Sequence, residues 1–280
     1  MNEKEGTLGE IGWEARQAMK PGILIISHGS KESGWVSLVD EAVSSARQAW
    51  GEEVLVAAGF LELVEGRLIQ DAIDELERAG ADRLLAIPLF ISSGSTHVSE
   101  IGWALGAYEE PGTETDLTPV ACSVPLLYGK PMDDDAEVVD VLLERLQALS
   151  VRPDKESLLL IGHGSKEEGF RQAWERGLAR LSEKLIEQGG FGDCRWAMLQ
   201  LDQVGGRWEE LRSDKPQNDI VVVPLFLSEG YFTKEVIPSL LRGLPSRYDG
   251  RTLMPHVRVL DWMSRQAGNW LNDIGFKRQL

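Results

Sequence analysis

Apolar residues follow two patterns along this chain: short continuous runs, and positions three or four residues apart. The 34–50 segment shows the second pattern, which is typical of a helix with one buried face, at Trp35, Val39, Ala42, Val43 and Ala46. The two patterns predict strands in the first half at 23–26, 54–61, 84–91 and 117–127. Helices are predicted at 34–50, 67–79, 98–107 and 133–149.

The second half shows the same alternation. Strands are predicted at 158–161, 194–201, 220–227 and 257–260, and helices at 168–188 and 234–242. Strands that alternate with helices are joined by right-handed crossovers, which produce a mainly parallel sheet flanked by helices on both faces. The predicted fold class is therefore α/β. In such sheets a ligand binds beyond the carboxyl ends of the strands.

One phrase occurs in both halves. The residues from Leu24 to Glu32 read LIISHGSKE, and those from Leu159 to Glu167 read LLIGHGSKE. A second pair follows, PLFISSG at 88–94 and PLFLSEG at 224–230. The chain is therefore interpreted as an internal duplication, with a polar leader at 1–21 and two tandem domains at 22–150 and 151–280.

The charge balance limits the partners that the chain can bind. It has 29 basic and 45 acidic residues, which give a net charge of −16 and a pI near 4.8. Such a surface repels nucleic acid and anionic membranes, so neither is an expected partner. An anionic small molecule would need hydrogen-bond donors placed locally in its pocket.

Targeting signals and cysteine usage favour a cytoplasmic protein. The leader is polar and acidic, unlike a secretion signal, and no stretch approaches the roughly 18 apolar residues of a membrane span. Cys122 and Cys194 stand alone, without CxxC spacing. This spacing fits a reducing compartment and excludes a cysteine-ligated iron–sulfur cluster within one chain.

Three ionisable residues follow predicted strands of the first half. His28 lies on the turn after the first strand, Glu62 ends the second, and His97 closes the polar loop after the third. Taken singly, His28 could be a capping or core residue, His97 a solvated loop residue and Glu62 a solvent-facing carboxylate. Their shared position at one edge of a parallel sheet favours a common site instead.

The residue types leave two kinds of chemistry open. Two neutral imidazoles and a carboxylate suit a divalent ion such as Fe²⁺, Co²⁺, Ni²⁺ or Zn²⁺. They equally suit acid–base catalysis near neutral pH, where histidine titrates. The HExxH, GxxxxGK[ST], GxGxxG and GxSxG signatures are absent from the sequence, so it shows none of the commoner zinc, phosphate, dinucleotide and acyl-transfer motifs.

The ordered motifs resemble the sirohydrochlorin chelatase family (CbiX/SirB-type, class II chelatases). They are the HGS turn at His28, the FLE strand end at Glu62, and PLF at 88–90 running into Ser93-Gly94 and His97. The resemblance implies insertion of a divalent metal, Co²⁺ or Fe²⁺, into sirohydrochlorin for cobalamin or sirohaem biosynthesis. It implies no tightly bound cofactor, because the metal is a substrate. The long form of the family has two fused domains, which makes a monomer plausible.

The resemblance also assigns roles to residues. His28 and His97 would bind the metal and accept protons, and Glu62 would assist. The carboxylates of the substrate would be bound by residues of the turn and the polar loop, namely Ser30, Ser92, Ser93, Gly94, Ser95 and Thr96. Lys31 and Arg67 are further candidates. The family usually has a Gly-His step where this chain has Ser95-Thr96 before His97.

The second half keeps only part of this set. His163 is retained, but Gln200 stands near the position of Glu62, and Tyr231-Phe232-Thr233 replaces the histidine loop. We therefore interpret it as a degenerate copy that completes the cleft, with His163 in a structural role. His256 is also expected to be structural.

Three other functions remain open. A protein that binds and delivers metal or tetrapyrrole could use the same scaffold without catalysis. So could a related tetrapyrrole enzyme, or a hydrolase that uses the histidines as acid and base.

Overall fold

The computed structural model describes residues 19–31 and 33–277. Most of the expected leader, 1–18, lies outside the described residues. The first half contains β1 (Pro21–Ser27), α1 (Ser33–Trp50), β2 (Leu55–Phe60), α2 (Ile69–Arg78), β3 (Arg83–Pro88), α3 (Thr96–Ala104), β4 (Leu126–Tyr128) and α4 (Ala136–Leu149). The second contains β5 (Glu156–Gly162), α5 (Glu168–Gly189), β6 (Asp193–Met198), α6 (Val204–Asp214), β7 (Asp219–Leu225), α7 (Ile237–Leu240) and α8 (Val257–Asp273).

Each half builds one parallel sheet, so the predicted α/β class is confirmed. The strand order is β2-β1-β3-β4 in the first sheet and β6-β5-β7 in the second. The central strands β1 and β5 pair in parallel with both neighbours. Because each repeated HGS turn follows a central strand, His28 and His163 lie at the carboxyl edge of their sheets.

Alternate residues of the central strands face two different cores. Ile23 and Ile25 of β1 face an apolar core that also contains Leu158 and Leu160 of β5. Residues of α1, α4, α5 and α8 contribute to this same core, represented by Val39, Val139, Leu178 and Trp262. The intervening residues of each strand face a separate outer core. The two sheets therefore share a central helical layer, and each has its own outer helices.

The last helix of the chain packs on the first half. Helix α8 contacts α1, α4 and β3, and α4 contacts β7 of the second sheet. The indole nitrogen of the fully buried Trp262 donates to Asp135 at 2.9 Å. Helix α8 of the second half thus packs on the first half, and helix α4 of the first half packs on the second.

Three consecutive aspartates before α4 bind residues of neighbouring elements. Asp133, with φ 43, accepts hydrogen bonds from the Ser93 N–H and hydroxyl at 2.8 and 3.1 Å. Asp134 is paired with Arg180 and Lys184 of α5, and Asp135 with residues of α8. The predicted helix start at Asp133 is therefore wrong by three residues, since these side chains bind neighbouring elements and α4 begins at Ala136.

Three sequence-based assignments differ from the structure. The predicted strand at 257–260 is the first turn of α8, because its apolar residues continue at helical spacing through Trp262, Met263 and Trp270. The predicted strand at 117–127 is reduced to Leu126–Tyr128 at its end. Helix α6 was not predicted, since its Gly205-Gly206 pair and polar residues weaken the helical pattern.

Candidate functional site

The turn after β1 fixes the backbones of His28 and Glu62 side by side. The Glu62 N–H donates to the His28 carbonyl at 3.0 Å. Between them Gly29 adopts φ 96, and a Cβ there would lie 1.9 Å from the Glu62 carbonyl oxygen. Only glycine permits this approach, because any side chain would force the two strand ends apart.

The structure brings the three candidate residues of the first half together. His28 Nε2 lies 3.5 Å from Glu62 Oε1. The rings of His28 and His97 meet edge to face, with centroids 4.6 Å apart. Side-chain exposures of 38% for His28, 54% for Glu62 and 37% for His97 leave all three accessible to a ligand. His97 reaches this position from the first turn of α3.

Local contacts determine which nitrogen of His28 is available. Its Nδ1 lies 3.0 Å from the Gly29 carbonyl oxygen, which can only accept a hydrogen bond. The neutral ring therefore carries its proton on Nδ1. The Nε2 lone pair then faces the cleft beside Glu62, where it can bind a metal ion or take a proton.

His97 lies in a less polar environment. Its Nδ1 is buried without a hydrogen-bond partner among the described residues, so the exposed part of the ring carries Nε2. Burial lowers the pKa of His97, repulsion from His28 lowers it further, and attraction by Glu100 and Glu62 acts in the opposite direction. Because the pKa is lowered, the imidazole stays neutral at a lower pH than an ordinary histidine does. In its neutral form it can bind a metal ion.

The polar loop before His97 uses much of its own hydrogen-bonding capacity. The buried Ser92 hydroxyl accepts from the Gly94 N–H at 3.0 Å, and Ser93 is bound to Asp133. Both hydroxyls therefore help to shape the loop, although Ser93 is itself exposed. Ser95 and Thr96 are half-buried at the start of α3.

The two cationic candidates for binding carboxylates have different surroundings. Arg67 makes two hydrogen bonds to Asp40, at 2.5 and 3.0 Å, and its guanidinium lies 4.9 Å from the centre of the Phe60 ring. It is therefore committed to its own half. Lys31 is exposed immediately after the half-buried Ser30 of the HGS turn.

The equivalent position in the second half has a different character. The Gln200 amide nitrogen, which can only donate, lies 3.3 Å from His163 Nε2, while His163 Nδ1 lies 3.1 Å from the Gly164 carbonyl oxygen. Both ring nitrogens thus have local partners. Phe232 stands where His97 stands in the first half, with its ring centre 5.0 Å from that of His163, and Phe226 stacks beside it.

The two sites lie close together where the halves meet. A Cβ at Gly94 would lie 2.5 Å from the Phe170 carbonyl oxygen and from Trp174 of α5, so the polar loop rests directly on the second half. His163 is also near enough to contribute to the lowered pKa of His97. We call the space between the two sites the cleft. Its polar wall is formed by His28, Glu62 and His97, and its aromatic wall by Tyr231 and Phe232.

Sequence reasoning missed one residue that lies behind the polar wall. Glu100 Oε1 lies 3.6 Å from His97 Nδ1, and the glutamate side chain is only 13% exposed. Helical spacing from His97 would have indicated it, but the helix was predicted to begin at Val98. No group of three or more His, Cys, Asp or Glu side chains in the described ranges forms a preassembled metal site. His28, His97 and Glu62 therefore form an open cluster rather than a closed set of metal ligands.

His256 contacts none of the residues of this site. Its Nδ1 accepts a hydrogen bond from the Arg258 N–H at 3.1 Å, capping α8, and its Nε2 lies 2.9 Å from Glu144. These contacts agree with the structural role expected for it. Among the described helices, none is long and apolar enough to cross a membrane.

Several known proteins are similar to this chain in sequence and in fold. The chain is 32% identical to the sirohydrochlorin cobaltochelatase of Methanosarcina acetivorans over 128 residues, covering 46% of this chain and 95% of the relative. It is 23% identical to the sirohydrochlorin ferrochelatase of Bacillus subtilis over 227 residues, covering 78% of each chain. The solved structure of SirB from Bacillus subtilis with Fe³⁺ superposes with a TM-score of 0.71 at 21% identity, covering 93% of this chain and all of that one.

The family match accounts for the internal repeat. The model of the CbiX family matches twice, at residues 22–149 and again at 157–266. Each match contains one parallel sheet and one copy of the HGS turn. The chain therefore belongs to the CbiX family, in a form that carries two copies of the family's unit.

Proposed function

We propose that this protein inserts a divalent metal ion, Co²⁺ or Fe²⁺, into sirohydrochlorin. The observation that carries the proposal is the pair of accessible histidines, with ring centres 4.6 Å apart, next to a carboxylate 3.5 Å from one of them. Relatives in the same family are cobaltochelatases and ferrochelatases that act on sirohydrochlorin. The metal is a substrate here, and no resident cofactor is required.

Metal insertion requires three steps that these side chains can assist. The metal ion must lose water, be presented to the macrocycle, and replace two pyrrole N–H protons. The Nε2 atoms of His28 and His97 can replace part of the hydration shell and release the ion again, because two imidazoles hold it less firmly than a closed site. Glu62 and the histidines can accept the protons.

The second half supplies a surface for a flat ring. Phe232 and the exposed Tyr231 present aromatic faces, while Gln200 and His163 bind each other. The carboxylates of the macrocycle meet a protein of net charge −16, so they need local donors. Ser30, Ser95, Thr96 and Lys31 are the donors that we assign. The Gly94 N–H is bound to the Ser92 hydroxyl, and Ser92 and Ser93 hold the loop in shape.

One assay tests the proposal against its main rival, a metal or tetrapyrrole delivery protein. Purified protein is incubated anaerobically with sirohydrochlorin and Co²⁺ or Fe²⁺, and the absorbance change is followed beside an enzyme-free control. We expect accelerated insertion that His28→Ala and His97→Ala largely abolish. Metal binding without acceleration would overturn the proposal and favour delivery.

The physiological metal follows from supply rather than from affinity. A site with histidine and carboxylate ligands binds Ni²⁺ and Cu²⁺ at least as well as Co²⁺ or Fe²⁺. The product would enter cobalamin synthesis with cobalt and sirohaem synthesis with iron. Because one chain provides both walls of the cleft, we propose that a monomer in the cytoplasm is sufficient for activity.

A further inference from the structure

Glu100 is held behind His97 by a chain of hydrogen bonds. It lies one turn after His97 on α3, with Oε1 3.6 Å from His97 Nδ1. The other oxygen, Oε2, accepts from the Thr115 hydroxyl at 3.0 Å, and that hydroxyl accepts in turn from the Leu117 N–H at 3.2 Å. The segment after α3 thus fixes a mostly buried carboxylate against the one ring nitrogen of His97 that faces away from the cleft.

The internal repeat provides a natural comparison. Phe232 occupies the place of His97 beside the histidine of the HGS turn. By the offset of the nearer PLF repeat, 88–94 against 224–230, the residue that corresponds to Glu100 is Val236, and Glu235 is a glutamate three residues after Phe232. Glu235 is exposed, in a π-helical turn at Phe232–Val236, whereas Glu100 is directed at an imidazole. A glutamate side chain is therefore held inside only in the half that has a histidine for it to contact.

We propose that Glu100 is a positioning residue for His97. It accepts the Nδ1 proton, which fixes the tautomer and directs the Nε2 lone pair into the cleft. A hydrogen bond from the far nitrogen of a metal-binding histidine to a carboxylate both orients the ring and increases its basicity as a ligand. The present separation of 3.6 Å shortens to a hydrogen bond when the metal ion binds, as catalytic contacts do on ligand binding. The inference rests on the metal-binding role proposed for His97.

The variant Glu100→Gln tests this role directly. The Thr115 hydroxyl would continue to donate to the amide oxygen, which turns the amide NH₂ group toward His97 Nδ1. Since that group can only donate, Nδ1 must become the acceptor and the proton must move to Nε2. The nitrogen intended for the metal would then be blocked, with little change in side-chain volume.

Two measurements on the full-length protein are decisive. Titration with Co²⁺ alone, followed by visible absorption, should show affinity about 10–100-fold weaker in Glu100→Gln, as for other residues that orient metal ligands. The ¹⁵N shifts of the His97 ring, assigned by comparison with His97→Ala, should change from the Nδ1–H to the Nε2–H tautomer. Thr115→Val should weaken Co²⁺ binding in the same direction, and Thr115→Ser should restore it.

Glu235→Gln is the control, because it makes the same substitution at an exposed glutamate three residues after Phe232, and it should bind Co²⁺ as the unaltered protein does. An unchanged tautomer and unchanged affinity in a folded Glu100→Gln protein would overturn the inference. If His97→Ala itself left Co²⁺ binding intact, the metal-binding role of His97 would fail first. If His97→Ala weakened binding while Glu100→Gln did not, only the role of Glu100 would fail.

Discussion

At the residue scale, the two histidines of the repeated phrase differ in what surrounds them. His28 has Glu62 and His97 as neighbours, whereas both nitrogens of His163 are occupied by Gln200 and the Gly164 carbonyl. We expect His28→Ala to lower kcat about 10²–10⁴-fold, the usual effect of losing a proton-transfer group. His163→Ala should lower it far less. Measuring kcat and KM for both variants side by side checks this, and equal losses would mean that both halves contribute chemistry.

The pH dependence follows from the environment of His97. Burial and the neighbouring His28 lower its pKa, so its neutral form persists to lower pH than that of an ordinary histidine. Protonated imidazole cannot bind a metal ion, so Co²⁺ affinity should rise with pH. The part of this rise that His97→Ala removes should be centred below about 6.5, the ordinary value. Affinity that stayed flat, or a midpoint above that value, would contradict the assignment.

The sequence predicts the position of His28, Glu62 and His97 better than the function of the residues around them. Each of the three follows a buried strand, and parallel strands bring their carboxyl ends to one edge. The hydroxyls of Ser92 and Ser93 lie where the loop was expected, but they bond within the protein. Their partners include Asp133, which is distant along the chain, and such pairings depend on tertiary structure.

At the scale of elements, the aromatic wall at Tyr231 and Phe232 allows substrate binding to be tested separately from chemistry. Tyr231, 70% exposed, adjoins Phe232 on the aromatic wall. An aromatic residue that contacts the ring both before and during metal insertion contributes uniform binding. Tyr231→Ala should therefore raise KM for sirohydrochlorin with little effect on kcat.

The matched control for this substitution is Val151→Ala. Val151 is 79% exposed, but it precedes β5 and so lies at the opposite edge of the sheet from His163. Val151→Ala should leave kcat and KM unchanged, because it keeps the backbone N–H that binds Glu156. Steady-state kinetics with varied sirohydrochlorin compares the two variants. A loss confined to kcat in Tyr231→Ala would show that this side chain acts on the chemical step instead.

Elements with strong local patterns were predicted correctly, and those defined by tertiary contacts were not. The central strands β1 and β5 are continuous apolar runs between polar segments, which few other structures could accommodate. The start of α8 presents a short apolar run that reads equally well as a strand. Its helical character appears only over the full 257–273 range, where the buried residues pack against α1, α4 and β3.

At the scale of the whole molecule, the duplicated sequence does not specify how the halves meet. The amphipathic faces of α4 and α8 predict burial without indicating which sheet covers them. In the structure each contacts the opposite half, and Arg145 of α4 donates to the Thr252 carbonyl at 3.0 Å. The cleft between the histidine wall and the aromatic wall depends on this exchange, so its geometry should be sensitive to the segment that joins the halves.

That segment is held by one buried carboxylate. Glu156, 1% exposed, accepts hydrogen bonds from the backbone N–H groups of Val151 and Arg152 and from the Ser150 hydroxyl, and it pairs with Arg247 at 2.6 Å. Burial alone would raise its pKa, but these donors lower the pKa to about 2. Glu156→Ala should cost about 3–5 kcal/mol of unfolding free energy, the usual loss when one partner of a buried ion pair is removed.

The same ion pair predicts how that loss depends on pH. A carboxylate with a lowered pKa stabilises the fold fully above its unfolded value of about 4.3, and the contribution disappears as the pH falls toward about 2. The difference in unfolding free energy between the unaltered protein and Glu156→Ala should therefore narrow over this range. Asp219→Asn is the control, because Asp219 contacts the same Arg247 at 3.6 Å but is 80% exposed, so its loss should cost at most about 1 kcal/mol. Urea unfolding at a series of pH values measures the effect of both substitutions. A difference that stayed constant into acid would show that the ionised carboxylate of Glu156 does not stabilise the fold.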